Sequence, residues 1–414
     1  MGERIYGLLG RKLGHSWSVP IHAALGCADY RLIELKPEEL GAFLARGDIG
    51  GLNVTMPYKR DVMPYCDVID AMAREIGSVN TIVRRADGKL YAYNTDAAGF
   101  CFMARRAGID FAGKKALVLG SGGASLTARA CARQLGAREV VGISRSGPDN
   151  YGNLDRHADA EVVVNTTPVG MYPNNGAAAV DLRCFPRCTG VLDVIYNPRR
   201  TALLLQAEAL GIPCSDGLPM LVAQAVAAEE HFFGRSIAER ENERVLALLR
   251  REMTNIVLIG MPGSGKSTVG TALAVLTGRE AVDIDACIVE KAGCPIPEIF
   301  ARGGEAAFRA LEREATAACG ALSGKILLTG GGVVKTPENY AALHQNGRVY
   351  QILRPLELLA TDGRPLSQGA DLEAMWAERA PLYERFRDAA VENSGTVEET
   401  AETIWRDFCE NSGH

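Results

Sequence analysis

No apolar run in the 414-residue chain approaches the ~18 residues that a membrane-spanning helix needs. No surplus of basic charge exists either: 45 Lys and Arg against 50 Asp and Glu leave a formal net charge of −5. That removes the electrostatic case for nucleic acid or an anionic membrane as a partner. A cysteine framework is also missing. The eleven cysteines are odd in number and scattered, and only Cys184 and Cys188 sit close together, which is neither a disulfide pattern nor a zinc spacing. The first residues, MGERIYGLLGRKLGHSW, lack the apolar core and cleavage site of a signal peptide. Together with the cysteines this predicts a reduced, cytoplasmic setting. There is no internal repeat, no low-complexity tract and no N-K-x-D guanine signature. What remains, 47% hydrophobic and 23% charged residues, is ordinary for a globular protein of two or three domains.

The most informative stretch is NIVLIGMPGSGKSTVGTA, Asn255 to Ala272. Ile256 to Ile259 reads as a buried strand, Gly260 to Ser267 fits G-x-x-x-x-G-K-[ST], and a helical pattern follows. Glycines let successive backbone N–H groups turn inward toward phosphate oxygens. The helix N-terminus adds partial positive charge. Gly263, Ser264, Gly265 and Thr268 would line the cradle, Lys266 would reach the β- and γ-phosphates, and Ser267 would ligate Mg²⁺. Because such a loop opens a domain, the residues before it predict a protein of their own.

In the first segment, Ile5 to Leu9 is a strand that leads into His15-Ser16-Trp17-Ser18 and a helix. Two serines at i and i+2 can offer two hydroxyls to one anion, or simply cap the helix. Asn53-Val54-Thr55-Met56-Pro57-Tyr58-Lys59 ends a strand in a proline-broken loop, where a lysine is either a solvated charge or a site group. Gly77 to Ile82 and Tyr93-Asn94-Thr95-Asp96 place an amide, Asn80, and a carboxylate, Asp96, at further strand or loop ends. Ligands of α/β folds sit outside strand carboxyl ends, so four such clusters make a site.

Lys115 to Leu119 is a strand followed by Gly120-Ser121-Gly122-Gly123-Ala124 and a helix, a dinucleotide turn whose third glycine is replaced by Ser125. The next strand ends at Ser144-Arg145-Ser146, 24 residues after Gly120. An NAD site carries an acid there for the ribose 2′-OH; an arginine with two hydroxyls favours the 2′-phosphate of NADP. Further strands end at Asn165 and Ile195, and Gln224 lies on an apolar helix, as a surface amide or a site group. A charged helical run, Ser236 to Glu252, reads as a bridge between domains.

HSWS, NVTMPYK, GSVNT, NTD, GSGGA, NTTPVGM, DVIYNP and GLPMLVAQ occur in the same order as in shikimate dehydrogenase, which this half resembles over nearly all of residues 1–235. The resemblance implies a discontinuous substrate domain, 1–98 and 215–240, around a Rossmann domain, 99–214, with NADP(H) as cofactor. It implies that Ser16, Ser18, Thr55, Asn80, Asp96, Tyr196 and Gln224 hold a hydroxy-acid substrate. Lys59 and Asp96 would be the acid–base pair, and Val194 and Gly217 would add to the cofactor site. Ser144 stands where the family usually has Asn, and Ala23 where it often has Asn.

After a helical linker, 241–252, the segment 253–414 carries GMPGSGKST, DID, GEAAFR, TGGG, GRPL and RAPLY, and resembles shikimate kinase. Asp283 and Asp285 at i and i+2 of an extended chain share a face; Asp283 would serve Mg²⁺ beside Ser267 or cap a helix. Arg309 and Glu312 can pair at i, i+3. The resemblance implies that Asp285, Arg309, Gly331, Gly332 and Arg379 bind shikimate, and that Arg364 closes over the ATP phosphates from a lid. Only Ala-Thr-Asp-Gly separates Leu359 from Arg364, where the family usually has a longer lid with another arginine near its start. Glu378 to Tyr383 reads as the opening of the last long helix.

The expected protein is α/β throughout: a substrate domain plus a Rossmann NADP-binding domain, followed by a P-loop kinase domain of nucleoside-monophosphate-kinase-like fold. It would reduce 3-dehydroshikimate with NADPH and phosphorylate the resulting shikimate with MgATP, with catalytic Lys59, Asp96, Lys266, Asp285 and Arg364. The sequence leaves a homo-oligomer open. The alternatives are a first half acting on quinate with NAD, opposed by Arg145, and a half without turnover, opposed by the intact set of catalytic residues.

Overall fold

Short apolar runs alternating with helical patterns fold into three sheets among the described residues, 4–14, 16–359 and 372–411, of a computed structural model. Arg364 and the rest of the Thr361–Leu366 stretch lie outside the described residues. The chain divides into two units, Met1–Leu246 and Ala247–His414.

The first unit opens with β1 (Ile5–Gly10), α1 (Ser18–Ala24), β2 (Arg31–Glu34), α2 (Leu40–Leu44), β3 (Ile49–Val54), β4 (Val68–Ile69), α3 (Ala71–Ile76), β5 (Thr81–Arg84) and β6 (Leu90–Tyr93). These strands pair in the order β2-β1-β3-β5-β6-β4. The sheet is mixed: β1 is parallel to β2 and β3, while β5 runs antiparallel to β3 and β6. All six residues of β3 are buried, the pattern of a strand covered on both faces.

Next comes α4 (Thr95–Arg106), followed by β7 (Lys115–Leu119), α5 (Gly123–Gln134), β8 (Glu139–Ile143), β9 (Val162–Asn165), β10 (Gly190–Asp193), α6 (Ala202–Ala209), β11 (Cys214–Ser215) and α7 (Leu218–Phe233). The second sheet is wholly parallel in the order β11-β10-β9-β7-β8. Phe100, Met103, Val118, Cys131, Val164 and Leu192 join α4, α5 and this sheet in one buried cluster. Asn94 and Asp96 therefore part company with the strand that precedes them. Asn94 is the N-cap residue of α4, and Asp96 lies in its first turn.

The unit boundary falls within α8 (Arg240–Met253). The second unit contains β12 (Asn255–Ile259), α9 (Lys266–Thr277), β13 (Ala281–Asp283), α10 (Ile284–Ala292), α11 (Ile296–Gly320), β14 (Ile326–Leu328), α12 (Glu338–His344), β15 (Gly347–Leu353), α13 (Leu372–Phe386), β16 (Ala389–Glu392) and α14 (Val397–Asn411). Its parallel sheet runs β13-β14-β12-β15-β16, with the P-loop strand β12 at the centre and wholly buried. Buried clusters cover both faces of that sheet, one around Val257, Ile288 and Phe386 and the other around Leu258, Tyr350 and Phe408. One helix boundary differs from the sequence reading: Glu378 to Tyr383 lies inside α13, Pro381 included, and the last long helix is α14. The acidic first turn of α14, Glu398 and Glu399, marks that later start. No helix among the described residues is long and apolar enough to cross a membrane.

Candidate functional site

In the first unit the polar strand ends converge. Tyr58 is fully buried and donates from its hydroxyl to the Leu35 carbonyl at 2.5 Å, anchoring the loop after β3. The carbonyl of the next residue, Lys59, accepts from Val79 N–H at 2.8 Å. With its backbone held, Lys59 places Nζ 2.6 Å from Asp96 Oδ2, both side chains part-exposed at 28% and 17%. This is a positioned, half-buried pair and not a solvated surface lysine. Asn80 is 3% exposed, and its Oδ1 accepts from Thr95 N–H at 2.7 Å and from the Thr81 and Thr95 hydroxyls at 3.2 Å. Those bonds orient the amide and leave its N–H₂ as the donor to offer a ligand.

Two helices complete the setting. Ser16 Oγ accepts from Ser18 N–H at 3.2 Å, while the N-cap position of α1 is Trp17, which makes no side-chain cap. Ser16 is thus half-buried in a local turn, and Ser18 is buried. Gln224 is 8% exposed and donates to the Leu221 carbonyl at 2.9 Å, so it is not a surface amide. It comes close to α4 because residue 99 is glycine: a Cβ there would meet the Met220 carbonyl at 2.4 Å and Gln224 Cβ at 3.1 Å. Any larger residue would push α7 away from the helix that carries Asp96. Thr55, half-buried, donates its backbone N–H to the Leu9 carbonyl at 2.9 Å, at the shared edge of β1 and β3.

A buried network behind these groups escaped the sequence reading. His22 on α1 and Glu229 on α7 are fully buried, with Nδ1 and Oε1 2.6 Å apart, and the imidazole stacks on Tyr30 at 3.8 Å between centroids. Tyr30 donates to Asn53 Oδ1 at 2.8 Å, and Asn53 donates to Thr81 Oγ1 at 3.2 Å, which touches Asn80. Breaking such a buried pair by removing one partner typically costs about 3–5 kcal/mol. The only sequence signal was polar residues at apolar-face positions, and the partners lie 207 residues apart.

The dinucleotide turn leaves β7 with Ser121, Gly122 and Gly123 exposed, Gly120 and Ala124 half-buried, and α5 starting at Gly123. The departure at the third glycine has a structural use. Ser125 is fully buried and donates to the Gly120 carbonyl at 2.8 Å, tying the first helical turn back to the loop. Ser144, Arg145 and Ser146 follow β8 at the same sheet edge; Arg145 and Ser146 are exposed, and Ser144 N–H donates to the Asp149 carbonyl at 3.2 Å. Gly217 presses against the end of β10, where a Cβ would lie 2.1 Å from the Val194 carbonyl. Tyr196 is half-buried, and burial raises its hydroxyl pKa.

Asp193, fully buried at the end of β10, holds these turns together. It accepts from Asn165 Nδ2 at 3.0 Å, Ile195 N–H at 3.0 Å and the Thr201 hydroxyl at 2.8 Å. Burial pushes its carboxyl from 3.8 up to about 6, against the pull of those bonds. The folded chain then keeps a proton that the unfolded chain has already lost, so this group's stability contribution falls as pH rises from about 4 to about 6, by roughly 3 kcal/mol at most. Asp193→Asn removes that slope. Hydrogen exchange of the β9 and β10 peptides at matched pH should show the variant gaining protection relative to wild type as pH climbs through that window. A pH-independent difference would mean that Asp193 is ionised throughout.

In the second unit, one cavity of about 650 Å³ gathers Gly265, Lys266, Ser267, Thr268, Asp283, Asp285, Arg309, Gly331, Gly332 and Arg379. Lys266 Nζ donates to the Gly260 and Met261 carbonyls at 2.8 and 3.0 Å, folded over its own loop. Gly263 and Ser264 are buried in the loop wall, and Ser267 and Thr268 are exposed. Asp283 caps α10, its Oδ1 accepting from Asp285 and Ala286 N–H at 2.9 and 3.3 Å. The capping alternative is therefore realised, with Oδ2 still able to face the cavity. A cation with one carboxylate, one hydroxyl and phosphate oxygens suits Mg²⁺, and Ser267 and Asp283 fit that set.

Arg309 spends its guanidinium on Glu305 Oε1 at 3.0 Å, Glu312 Oε2 at 2.8 Å and the Gly332 carbonyl at 3.1 Å. Glu312 is buried, which raises its carboxyl pKa against the lowering effect of Arg309. Arg379 donates to the Gly331 carbonyl at 3.2 Å, and its buried Nε has no partner among the described residues. An orphaned buried donor beside a cavity is a place for an anion. The triple glycine admits the site's own walls: a Cβ at 330, 331 or 332 would strike Asp285, Pro262 or Arg309 within 2.8 Å.

Comparison with known proteins agrees with both halves. The profile of the shikimate kinase family matches residues 262–408, and that of the shikimate dehydrogenase substrate-binding domain matches residues 8–82. Shikimate dehydrogenase (NADP(+)) of Clostridium perfringens is 35% identical over 268 residues, 60% of this chain and 98% of the relative. Shikimate 5-dehydrogenase of Thermus thermophilus, solved in complex with NADP(H) and shikimate, superposes with a TM-score of 0.52 at 30% identity, over 58% of this chain and 98% of that one. Quinate dehydrogenase of Corynebacterium glutamicum, in complex with NAD, gives 0.54 at 28%, over 59% and 99%. With a hydrogen-bonded Lys–Asp pair and a dinucleotide turn in one unit and a P-loop cavity lined by two arginines in the other, the chain belongs to the shikimate dehydrogenase family and carries a shikimate kinase domain, one polypeptide with the NADP-dependent dehydrogenase and the kinase of the shikimate pathway.

Proposed function

We propose that the first unit reduces 3-dehydroshikimate with NADPH through Lys59 and Asp96, and that the second phosphorylates the shikimate so formed. The observation that carries the reading is the 2.6 Å Lys59–Asp96 pair, held from behind by Val79 and by the Asn80–Thr95 bonds. NADPH, held at Gly120 to Ala124 and Arg145, would supply the hydride for the 3-keto carbon. As negative charge builds on the keto oxygen, Lys59 donates a proton to it, and Asp96 holds the ammonium in place and helps restore it. Ser16, Ser18, Thr55, Asn80, Tyr196 and Gln224 bind the ring hydroxyls and carboxylate. Gly120 to Ala124 and α5 receive the pyrophosphate, with Val194 and Gly217 alongside.

In the second unit Asp285 orients the acceptor hydroxyl, and Arg309 and Arg379 grip the shikimate carboxylate, which takes over the contact that Arg309 now gives to Glu305. Gly331 and Gly332 shape the floor. Lys266 and the loop amides of Gly263 to Thr268 neutralise the triphosphate, and Arg364 is proposed to close over it. Mg²⁺, held by Ser267 and Asp283, would add charge neutralisation at the phosphates. The setting is cytoplasmic, by the sequence reading.

NADP preference rests on Arg145 together with Ser144 and Ser146. Replacing Arg145 with Ala should raise the KM for NADPH by about tenfold or more while leaving the poorer NADH activity nearly unchanged, since only one of them carries the 2′-phosphate that a guanidinium forks. Crossing both cofactors with 3-dehydroshikimate and quinate is the test. Better turnover of quinate with NAD by the wild-type chain would overturn the substrate assignment.

A further inference from the structure

We propose that Arg354 is a nucleotide-phosphate ligand of the kinase, delivered from the sheet itself and not from the lid; the inference rests on the reading that the P-loop holds the ATP phosphates. β12 and β15 are parallel neighbours, so the chain leaves both at the same edge of the sheet. After β12 comes the phosphate loop. After β15 comes Arg354, the first residue beyond Leu353. Ligands of parallel α/β sheets sit outside that edge.

The side chain is aimed at the loop. The guanidinium Nη1 lies 4.0 Å from where a Cβ of Gly265 would stand, and Gly265 is the residue from which α9 starts. On the same side, Asn393 buttresses the loop, donating to the Ser264 carbonyl at 2.8 Å. Arg354 is exposed and makes no hydrogen bond or ion pair among the described residues, although Glu392 lines the same small cavity of about 290 Å³. The two arginines that line the larger kinase cavity are already engaged, Arg309 with Glu305 and Glu312 and Arg379 with the Gly331 carbonyl. A planar fork of N–H donors beside the phosphate loop is suited to a polyanion held there.

The alternative is an idle surface arginine, and the two differ in binding. In the full-length chain, Arg354→Gln should weaken MgATP binding by calorimetry about tenfold or more, as loss of a charge-assisted phosphate contact does, and raise the KM for ATP in parallel. Shikimate affinity without nucleotide should stay within about twofold, and Arg354→Lys should restore part of the loss. AMP binding should suffer less than MgATP binding, because the contact is to the outer phosphates. Unchanged shikimate affinity reports that the kinase unit of each variant is folded. MgATP affinity equal to wild type in Arg354→Gln would overturn the proposal, and so would an equal loss for AMP, which would place the contact on the nucleoside. A wild-type chain that failed to bind MgATP would instead overturn the kinase reading beneath it.

Discussion

Lys59→Ala should lower the dehydrogenase kcat by about 10²–10⁴-fold, the usual worth of a positioned general acid, with a much smaller change in the KM for 3-dehydroshikimate. The proton is needed only as charge develops on the reacting oxygen, so its loss falls on the transition state and not on ground-state binding. The geometry explains why no neighbour can stand in. Asp96 already shares its carboxylate with Lys59 at 2.6 Å and becomes an unpaired anion when the ammonium goes. Stability should change little, because the pair is part-exposed and such pairs contribute on the order of 0–1 kcal/mol. Kinase turnover in the same preparation is the internal control. A kcat within twofold of wild type would remove Lys59 from the chemistry.

Lys266→Ala should cost the kinase on the order of 10²–10³-fold in kcat, comparable to removing a preorganised donor from a developing charge, while NADPH oxidation stays at the wild-type rate. The ammonium bridges the Gly260 and Met261 carbonyls, so it also braces the loop. The variant should therefore lose MgATP affinity as well as turnover. Lys266→Arg separates the two effects: it keeps a cation to brace the loop but cannot place a point charge in the same position. Recovery of binding without recovery of kcat is the expected pattern. Full activity in Lys266→Ala would mean that the loop amides alone carry the phosphates.

The parts of these sites that could be read from sequence are those whose geometry is encoded locally. The P-loop and the Gly120 turn each sit where a strand stops and a helix starts, so motif and context are read together, whereas Lys59 reads as a solvated charge or a site group until the resemblance to shikimate dehydrogenase singles it out with Asp96. Other features depended on contacts between distant residues. Gln224 reads as a surface amide or a site group on its own helix, and its burial depends on Gly99, on another helix, which allows α4 and α7 to touch. The His22–Glu229 pair spans most of the first unit in sequence, so no local pattern could join them. Ser125 looked like a defect in the glycine motif and turns out to make a bond that a glycine could not. Asp283 was legible as a carboxylate at a strand end, but its bond to α10 depends on where that helix begins. The segment Glu378 to Tyr383, read as the opening of the last long helix, lies within Leu372–Phe386, where packing of the buried Tyr383 and Phe386 carries the helix through Pro381.

The central claim is that one chain carries out two successive reactions on the same small cyclic acid. Its most direct test is a progress curve with 3-dehydroshikimate, NADPH and MgATP, following NADPH loss and ADP formation separately in wild type, Lys59→Ala and Lys266→Ala. The account predicts that ADP appears after a lag and reaches one per NADPH consumed. It also predicts that Lys59→Ala suppresses both signals, that added shikimate then restores ADP formation alone, and that Lys266→Ala suppresses only ADP. ADP formation that proceeds without NADPH, or NADPH consumption that never yields ADP in the wild-type chain, would contradict it.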